Sequence, residues 1–318
     1  MAKQKMILDL DTGIDDALAI AYAVASPEAD LIGILSSYGN VVVERSAKNS
    51  LRILDLLGAS DVPVFLGESH SVVTDHFDVM PISAQIHGKN GIGEVAVAES
   101  SRAIESESAV DFIIDAAHKY KQDLILVPTG PLTNLAAAIR KDPSIVKEIG
   151  KVVLMGGALT VPGNVTDAAE ANINQDAVSA NEVFTAGLNL TMVGLDVTLR
   201  TLLTRKETQQ WRDLHTKAGD AFADIVDFYI KAYEITSPGL NGCALHDPLA
   251  VGVALMPDLV TTLPLNMIVE TEGTTWGRTT GDANRLNEPS TDQASLTVDA
   301  DRFLNLFMTR LSKLFEEN

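Results

Sequence analysis

The chain has 318 residues, 46% hydrophobic and 21% charged, with a formal net charge of −19. That balance belongs to a folded globular protein with room for one large α/β domain or two ordinary ones, and it excludes intrinsic disorder. The negative charge argues against nucleic acid as a partner, since such binding draws most of its affinity from lysine and arginine on phosphates.

Met6-Ile7-Leu8 is an apolar run leading into Asp9 and Asp11, which on a strand of period two share one face at its C-terminal end. Gly13 then turns the chain, and Asp15 and Asp16 open a helix whose apolar positions run through Ala17, Leu18, Ala21, Tyr22 and Ala25. Leu31 to Ser36 reads as a second strand, Arg45 to Leu57 as a helix closed by Gly58, and Val62 to Leu66 as a third strand. From Gly67 to Ser106 there is little periodicity, and Gly88, Gly91 and Gly93 punctuate what reads as a long functional or mobile loop. His70, His76 and His87 fall in it with spacings that match no zinc pattern, and exposure is the expected state of most of them.

Ala109 to Tyr120 reads as a helix, Asp123 to Val127 as a strand, and Leu135 to Arg140 as a helix in which Thr133 or Asn134 supplies the cap. Lys151 to Met155 and Leu188 to Val193 read as strands on either side of a helix from Asp176 to Ala186. Thr204 to Ser237 is largely helical, with Tyr229 and Tyr233 one turn apart on one face. Another helix begins at His246-Asp247-Pro248, where Asp247 before a proline suits an N-cap. Met267 to Glu270 and Gly273 to Thr280 read as a β-hairpin, Ala294 to Val298 as a last strand, and Arg302 to Phe315 as an amphipathic helix.

This alternation has the spacing of βαβ units, and no repeat or linker divides it. The expected fold is a single α/β domain over 1–318: a Rossmann-like, open, mostly parallel sheet flanked by helices, with a C-terminal β-hairpin. No stretch is long and apolar enough to span a bilayer, and Met1-Ala2-Lys3-Gln4-Lys5 runs straight into the first strand, unlike a signal peptide. The lone Cys243 suits a reducing cytosol, so a cytoplasmic protein is expected, and with no base beside it this cysteine reads as a small packing residue.

Asp9, Asp11, Asp15 and Asp16 converge where the first strand meets the first helix. Two like charges about 4 Å apart repel by roughly 4 kcal/mol at an effective dielectric of about 20, and no lysine or arginine lies between Asp9 and Asp16. A helix N-terminus offsets at most ~2 kcal/mol of this. A hard divalent cation such as Ca²⁺ or Mg²⁺, which takes several carboxylate oxygens, resolves the conflict. The position also suits a site, because open α/β sheets bind ligands beyond the carboxyl ends of their strands.

The pattern Asp9-x-Asp11-x-Gly13-x-Asp15-Asp16 resembles the N-terminal signature of the inosine-uridine nucleoside hydrolases, the nucleoside N-ribohydrolase family. A haloacid dehalogenase phosphatase would want Thr or Val where Gly13 stands, and an EF-hand would want more oxygen ligands, a glycine in another register and a terminal Glu. Further segments carry the resemblance in the family's order: Tyr38-Gly39-Asn40, Thr129-Gly130-Pro131-Leu132-Thr133-Asn134, the Gly156-Gly157 loop with Asn164 and Glu170-Ala171-Asn172, and His246-Asp247-Pro248. One departure is Ala171, where members commonly carry Phe.

The resemblance implies calcium-dependent hydrolysis of a ribonucleoside to base and ribose. It assigns calcium to Asp11, Asp16, the Thr129 carbonyl and Asp247, with Asp11 also taking the proton from the attacking water. It places Asp15, Asn40, Asn164, Glu170 and Asn172 on the ribose, Tyr229 and Tyr233 on the base, and Asp9 in a supporting role. His246 faces the base as a proton donor, and His87 resembles a second such histidine. Members form homodimers or homotetramers. Two rival readings are a metal-dependent phosphohydrolase, which would want basic residues that these loops lack, and a non-catalytic nucleoside- or ribose-binding protein.

Overall fold

The computed structural model describes residues 3–318, so Met1 and Ala2 of the N-terminal expectation lie outside the described residues. The strands are β1 (Gln4–Leu10), β2 (Ala29–Ser36), β3 (Val64–Leu66), β4 (Glu105–Ser108), β5 (Leu124–Pro128), β6 (Lys151–Met155) and β7 (Leu190–Val193). Beyond them come β8 (Leu202–Leu203), β9 (Cys243–Ala244), β10 (Val260–Pro264), β11 (Met267–Val269), β12 (Thr279–Gly281) and β13 (Asp292–Val298). The helices are α1 (Ile14–Ala25), α2 (Val43–Leu56), α3 (Pro81–His87), α4 (Ala109–Tyr120), α5 (Thr133–Lys141) and α6 (Ala171–Gln175). They continue with α7 (Ala177–Thr185), α8 (Leu195–Thr198), α9 (Arg205–Arg212), α10 (Lys217–Thr236), α11 (His246–Leu255) and α12 (Ala300–Glu316).

Nine strands form one sheet in the order β10-β13-β7-β6-β5-β1-β2-β3-β4. Its neighbours run parallel except for the antiparallel pair β10–β13. The chain winds outward from β1 through β2, β3 and β4, then returns to the other side of β1 at β5. This reversal opens a crevice at the carboxyl ends of β1 and β5, the topological switch point where such sheets take ligands. Register aligns those ends, with Asp9 opposite Leu35 of β2 and Pro128 of β5.

Alternation along β1 feeds two cores. Met6, Leu8 and Leu10 pack with α1, α2, α10, α11 and α12, while Ile7 packs on the opposite face with α4, α5 and α7. Buried between sheet and outer helices, α11 is apolar around most of its circumference and every one of its residues is buried. On its far side α1 meets α12 through Tyr22, whose ring centroid lies 5.7 Å from Phe303 and 5.4 Å from Phe307.

Most expected elements form, and the sheet and C-terminal hairpin are as expected, with β11 and β12 antiparallel. Several details differ. The segment after Gly67 is not free of structure: Pro81 starts the short helix α3, and Glu105–Ser108 adds β4. A strand of alternating glutamate and serine has no apolar signal, and only a sheet edge tolerates it. The other edge, β10, ends in Pro264, which edge positions accept. Neither Thr133 nor Asn134 caps α5; both side chains reach across to other elements. Asp247 sits inside the first turn of α11 instead of capping it. The second hairpin strand is confined to Thr279–Gly281 because Gly273–Thr275 forms a 3₁₀ turn. Cys243 is buried in β9, the packing role expected of it.

Phe307→Ala is expected to destabilise the fold by about 3–5 kcal/mol, the cost of emptying a fully buried aromatic site. Urea unfolding checks this, and a loss under 1 kcal/mol would contradict the packing described for α12.

Candidate active site

The carboxyl ends of β1, β2, β5 and β6 bring their loops together at one buried site. Gly13 caps α1, and its N–H donates to Asp16 Oδ2 at 2.8 Å, so Asp16 folds back over its own helix start. Close approach requires glycine here: a Cβ at Gly13 would stand 2.6 Å from His87 Nδ1, and one at Gly39, where φ is +153°, would stand 2.0 Å from Asp11 Oδ2.

Asp11, one residue past β1, accepts from the Asn40 N–H at 2.6 Å, and Asn40 Nδ2 donates to Asp16 Oδ2 at 3.3 Å. The Thr129 hydroxyl donates to Asp16 Oδ1 at 2.8 Å. Asp9 points to the other face of the sheet and accepts from Asn134 Nδ2 at 2.8 Å, which gives it the supporting place expected. Ligand atoms of Asp15, Asp16 and Asp247 lie within 4.8 Å of one another, close enough to share one ion. Asp11 stands beside this trio; its charge is felt at Asp247, and its own carboxyl responds to Asp16 and Asp15.

All five of these carboxylates are buried. Burial pushes Asp9 up to about 7 and Asp15 up to about 6. Asp16 rises to about 6 through burial and then the charge of Asp15. Asp11 and Asp247 are also held well above the ordinary aspartate value, first by burial and then by neighbouring carboxylates. Asp11 Oδ1 and Asp15 Oδ1 are buried without a hydrogen-bond partner. Two orphaned carboxylate oxygens beside a close acidic trio are the donor set that a hard cation fits.

The opposite wall is neutral. Tyr229 donates to Asp15 Oδ2 at 3.2 Å, its ring lies 5.5 Å from that of His87 and 4.9 Å from that of Tyr233. His246 Nε2 lies 2.7 Å from the Tyr233 hydroxyl and Nδ1 lies 2.7 Å from Thr198 Oγ1. His87 is buried, contrary to the exposure expected of the loop histidines, because α3 carries it under the start of α1, where the Ile14 N–H donates to its Nδ1 at 3.2 Å. Burial lowers both His87 and His246 to about 4, so both are neutral near pH 7.

The expected ribose residues divide. Asn40 lies against the cluster, as above. Glu170 is buried and committed to backbone: its oxygens accept from Gly157, Asn172 and Ile173, so it caps α6 and shapes the loop. Asn172 Nδ2 donates to the Thr129 carbonyl at 2.6 Å and to the Met155 carbonyl at 3.2 Å. Asn164 is exposed, and its Oδ1 accepts from the Ala171 N–H at 3.0 Å. Three further residues escaped the sequence reading. Asp196 accepts from the Leu159 and Thr160 N–H groups, Arg278 donates to the Leu159 and Val161 carbonyls, and Thr198 reaches His246. Each lies far in sequence from what it holds, and none stands in a recognisable motif.

A family model described as inosine-uridine preferring nucleoside hydrolase matches residues 6–305. A solved purine-preferring ribonucleoside hydrolase from Gardnerella vaginalis is 60% identical and superposes with a TM-score of 0.98 over 99% of this chain and 100% of its own. Probable uridine nucleosidase 2 of Arabidopsis thaliana is 34% identical over 97% of this chain and 98% of its own length. The pyrimidine-specific ribonucleoside hydrolase RihB of Escherichia coli is 36% identical over 96% of each. The signature at the end of β1, the doubly wound sheet and these likenesses agree: the chain belongs to the inosine-uridine preferring nucleoside hydrolase family and is an N-glycosyl hydrolase.

Proposed function

We propose that this chain is a calcium-dependent ribonucleoside hydrolase, one domain over 1–318, that releases free base and ribose with Asp11 as the general base. The observation that carries this reading is the buried acidic cluster with unpartnered oxygens on Asp11 and Asp15. Asp11, Asp16, the Thr129 carbonyl and Asp247 would hold the ion, with Asp15 within reach of it. When bound, calcium supplies the missing positive charge and open oxygen coordination for sugar hydroxyls.

Cleavage of a glycosidic bond develops positive charge on the sugar ring. Asp11, Asp15 and their neighbours concentrate negative charge on one side of the pocket, which favours that cationic transition state over a neutral substrate. Asp11 Oδ1, buried and without a hydrogen-bond partner, is free to take a proton from the attacking water. Asp15 and Asn40 hold ribose hydroxyls, with Asn172 and the loop through Asn164 and Glu170 closing the 5′ side. On the opposite side the rings of Tyr229 and Tyr233 receive the base. His246, through Tyr233, and His87, through its free Nε2–H, assist its departure as hydrogen-bond donors.

On this reading the chain acts as a homodimer or homotetramer in the cytoplasm. Purine ribonucleosides are its preferred substrates, since the relative that is 60% identical is described as purine-preferring. A reducing-sugar assay should therefore show faster ribose release from inosine than from uridine or cytidine; the reverse order would overturn the preference. Asp11→Ala should lower turnover on inosine by roughly 10²–10⁴-fold, the range for a lost general base, with the melting temperature retained. Near-normal turnover would remove Asp11 from that role.

The buried carboxylates also set a pH dependence. A group whose folded pKa is raised favours the fold below its unfolded value and loses that contribution as pH rises through the folded one. For Asp9, Asp15 and Asp16 that window runs from the ordinary 3.8 to about 6 or 7. His87 and His246 act oppositely and more weakly in sum: their contribution is complete above 6.5 and is lost as pH falls from there through about 4. Metal-stripped protein should therefore melt at progressively lower temperature between pH 5 and pH 8, with calcium restoring the loss at pH 8. A melting temperature that rises over this range and ignores calcium would count against a cation in the cluster.

A further inference from the structure

Thr198 closes α8, the single turn that follows β7, and its side chain is fully buried. The turn is pinned: the Leu195 N–H donates to the Gly157 carbonyl, and Asp196 accepts from Leu159 and Thr160. From this fixed place Thr198 Oγ1 lies 2.7 Å from His246 Nδ1, while His246 Nε2 lies 2.7 Å from the Tyr233 hydroxyl. Among the described residues the Thr198 hydroxyl meets no other hydrogen-bond partner.

That isolation decides where the hydrogens go. A neutral imidazole has one N–H and one acceptor nitrogen, and a hydroxyl carries one hydrogen to place. A buried hydroxyl with a single neighbour donates to it, because a buried donor left unpaired is costly. Nδ1 of His246 is then the acceptor, Nε2 carries the proton and donates to Tyr233, and the phenolic hydrogen of Tyr233 turns away from the imidazole. The reverse polarity would leave the Thr198 hydrogen unpaired and direct the Tyr233 hydrogen into His246.

We propose that Thr198 is a positioning residue for the hydrolysis: its O–H holds His246 as the Nε2–H tautomer, so that Tyr233 offers its phenolic hydrogen to the departing base. The role is one of hydrogen-bond polarity, and no proton is transferred along the chain. It rests on the reading of His246 and Tyr233 as the leaving-group side, and it extends that reading to a residue that touches neither base nor sugar.

Two measurements test it. Long-range ¹H–¹⁵N spectra of the labelled, folded enzyme at pH 7 should show Nδ1 of His246 unprotonated; a proton on Nδ1 in the unmodified protein overturns the proposal. Thr198→Val, which keeps the shape and removes the hydroxyl, should leave Nδ1 without its donor and shift its ¹⁵N resonance to that of an unbonded imine nitrogen, with the ring no longer held in place. It should also lower turnover on inosine by roughly 10- to 100-fold, typical for a lost supporting hydrogen bond, while an activated nitrophenyl riboside is cleaved nearly as before. Thr198→Ser should restore both the Nδ1 resonance and inosine turnover, which a merely structural role would not require. Equal losses on the two substrates in Thr198→Val, with His246→Ala still selective for inosine, overturn the part given to Thr198 alone. Equal losses in His246→Ala overturn the leaving-group reading and this proposal with it.

Discussion

Mutual repulsion among buried carboxylates is the constraint around which this molecule is arranged. Asp11, Asp15, Asp16 and Asp247 are packed out of water with no lysine or arginine in contact, and among the described residues the basic group within ion-pair distance is His87, at 3.9 Å from Asp15 and neutral. The fold contains the cost in several small ways. The Gly13 N–H at the start of α1 donates to Asp16, Asn40 donates to both Asp11 and Asp16, and Thr129 donates to Asp16. What these donors leave uncompensated is negative charge, and that is what makes the cluster a fit for a hard cation.

The site is electrically lopsided. One side carries close carboxylates whose proton affinities are raised. The other is built from Tyr229, Tyr233, His87 and His246, all buried and all neutral. The acids come from the end of β1, the start of α1 and, through Asp247, α11; the neutral groups come from α3, α10 and His246 of α11, and Tyr229 joined to Asp15 ties the two sides together.

Around this centre, distant elements act as clamps. The C-terminal hairpin reaches the loop after β6 through Arg278 on the Leu159 and Val161 carbonyls and Thr279 on the Ala158 N–H, while Trp276 donates to the Asn174 carbonyl. Glu170, a buried acid in the same loop, spends both oxygens on backbone donors. The loop's conformation is thus set by side chains bonded to its backbone.

The local sequence determined the alternation of strands and helices, the parallel sheet and the acidic signature, because each rests on short-range signals: period-two apolar runs, helical stripes, and carboxylates within eight residues of one another. Edge strands such as Glu105–Ser108 left no such signal, since an edge is stabilised by its neighbour's backbone and not by apolar side chains of its own. Only the tertiary structure decided that His87 is buried against the start of α1, that Glu170 serves the backbone, and that Thr198 lies against His246, 48 residues away in sequence. A hydrogen bond is directional and depends on angstroms, and those angstroms are set by how sheet and helices pack, which no spacing along the chain encodes.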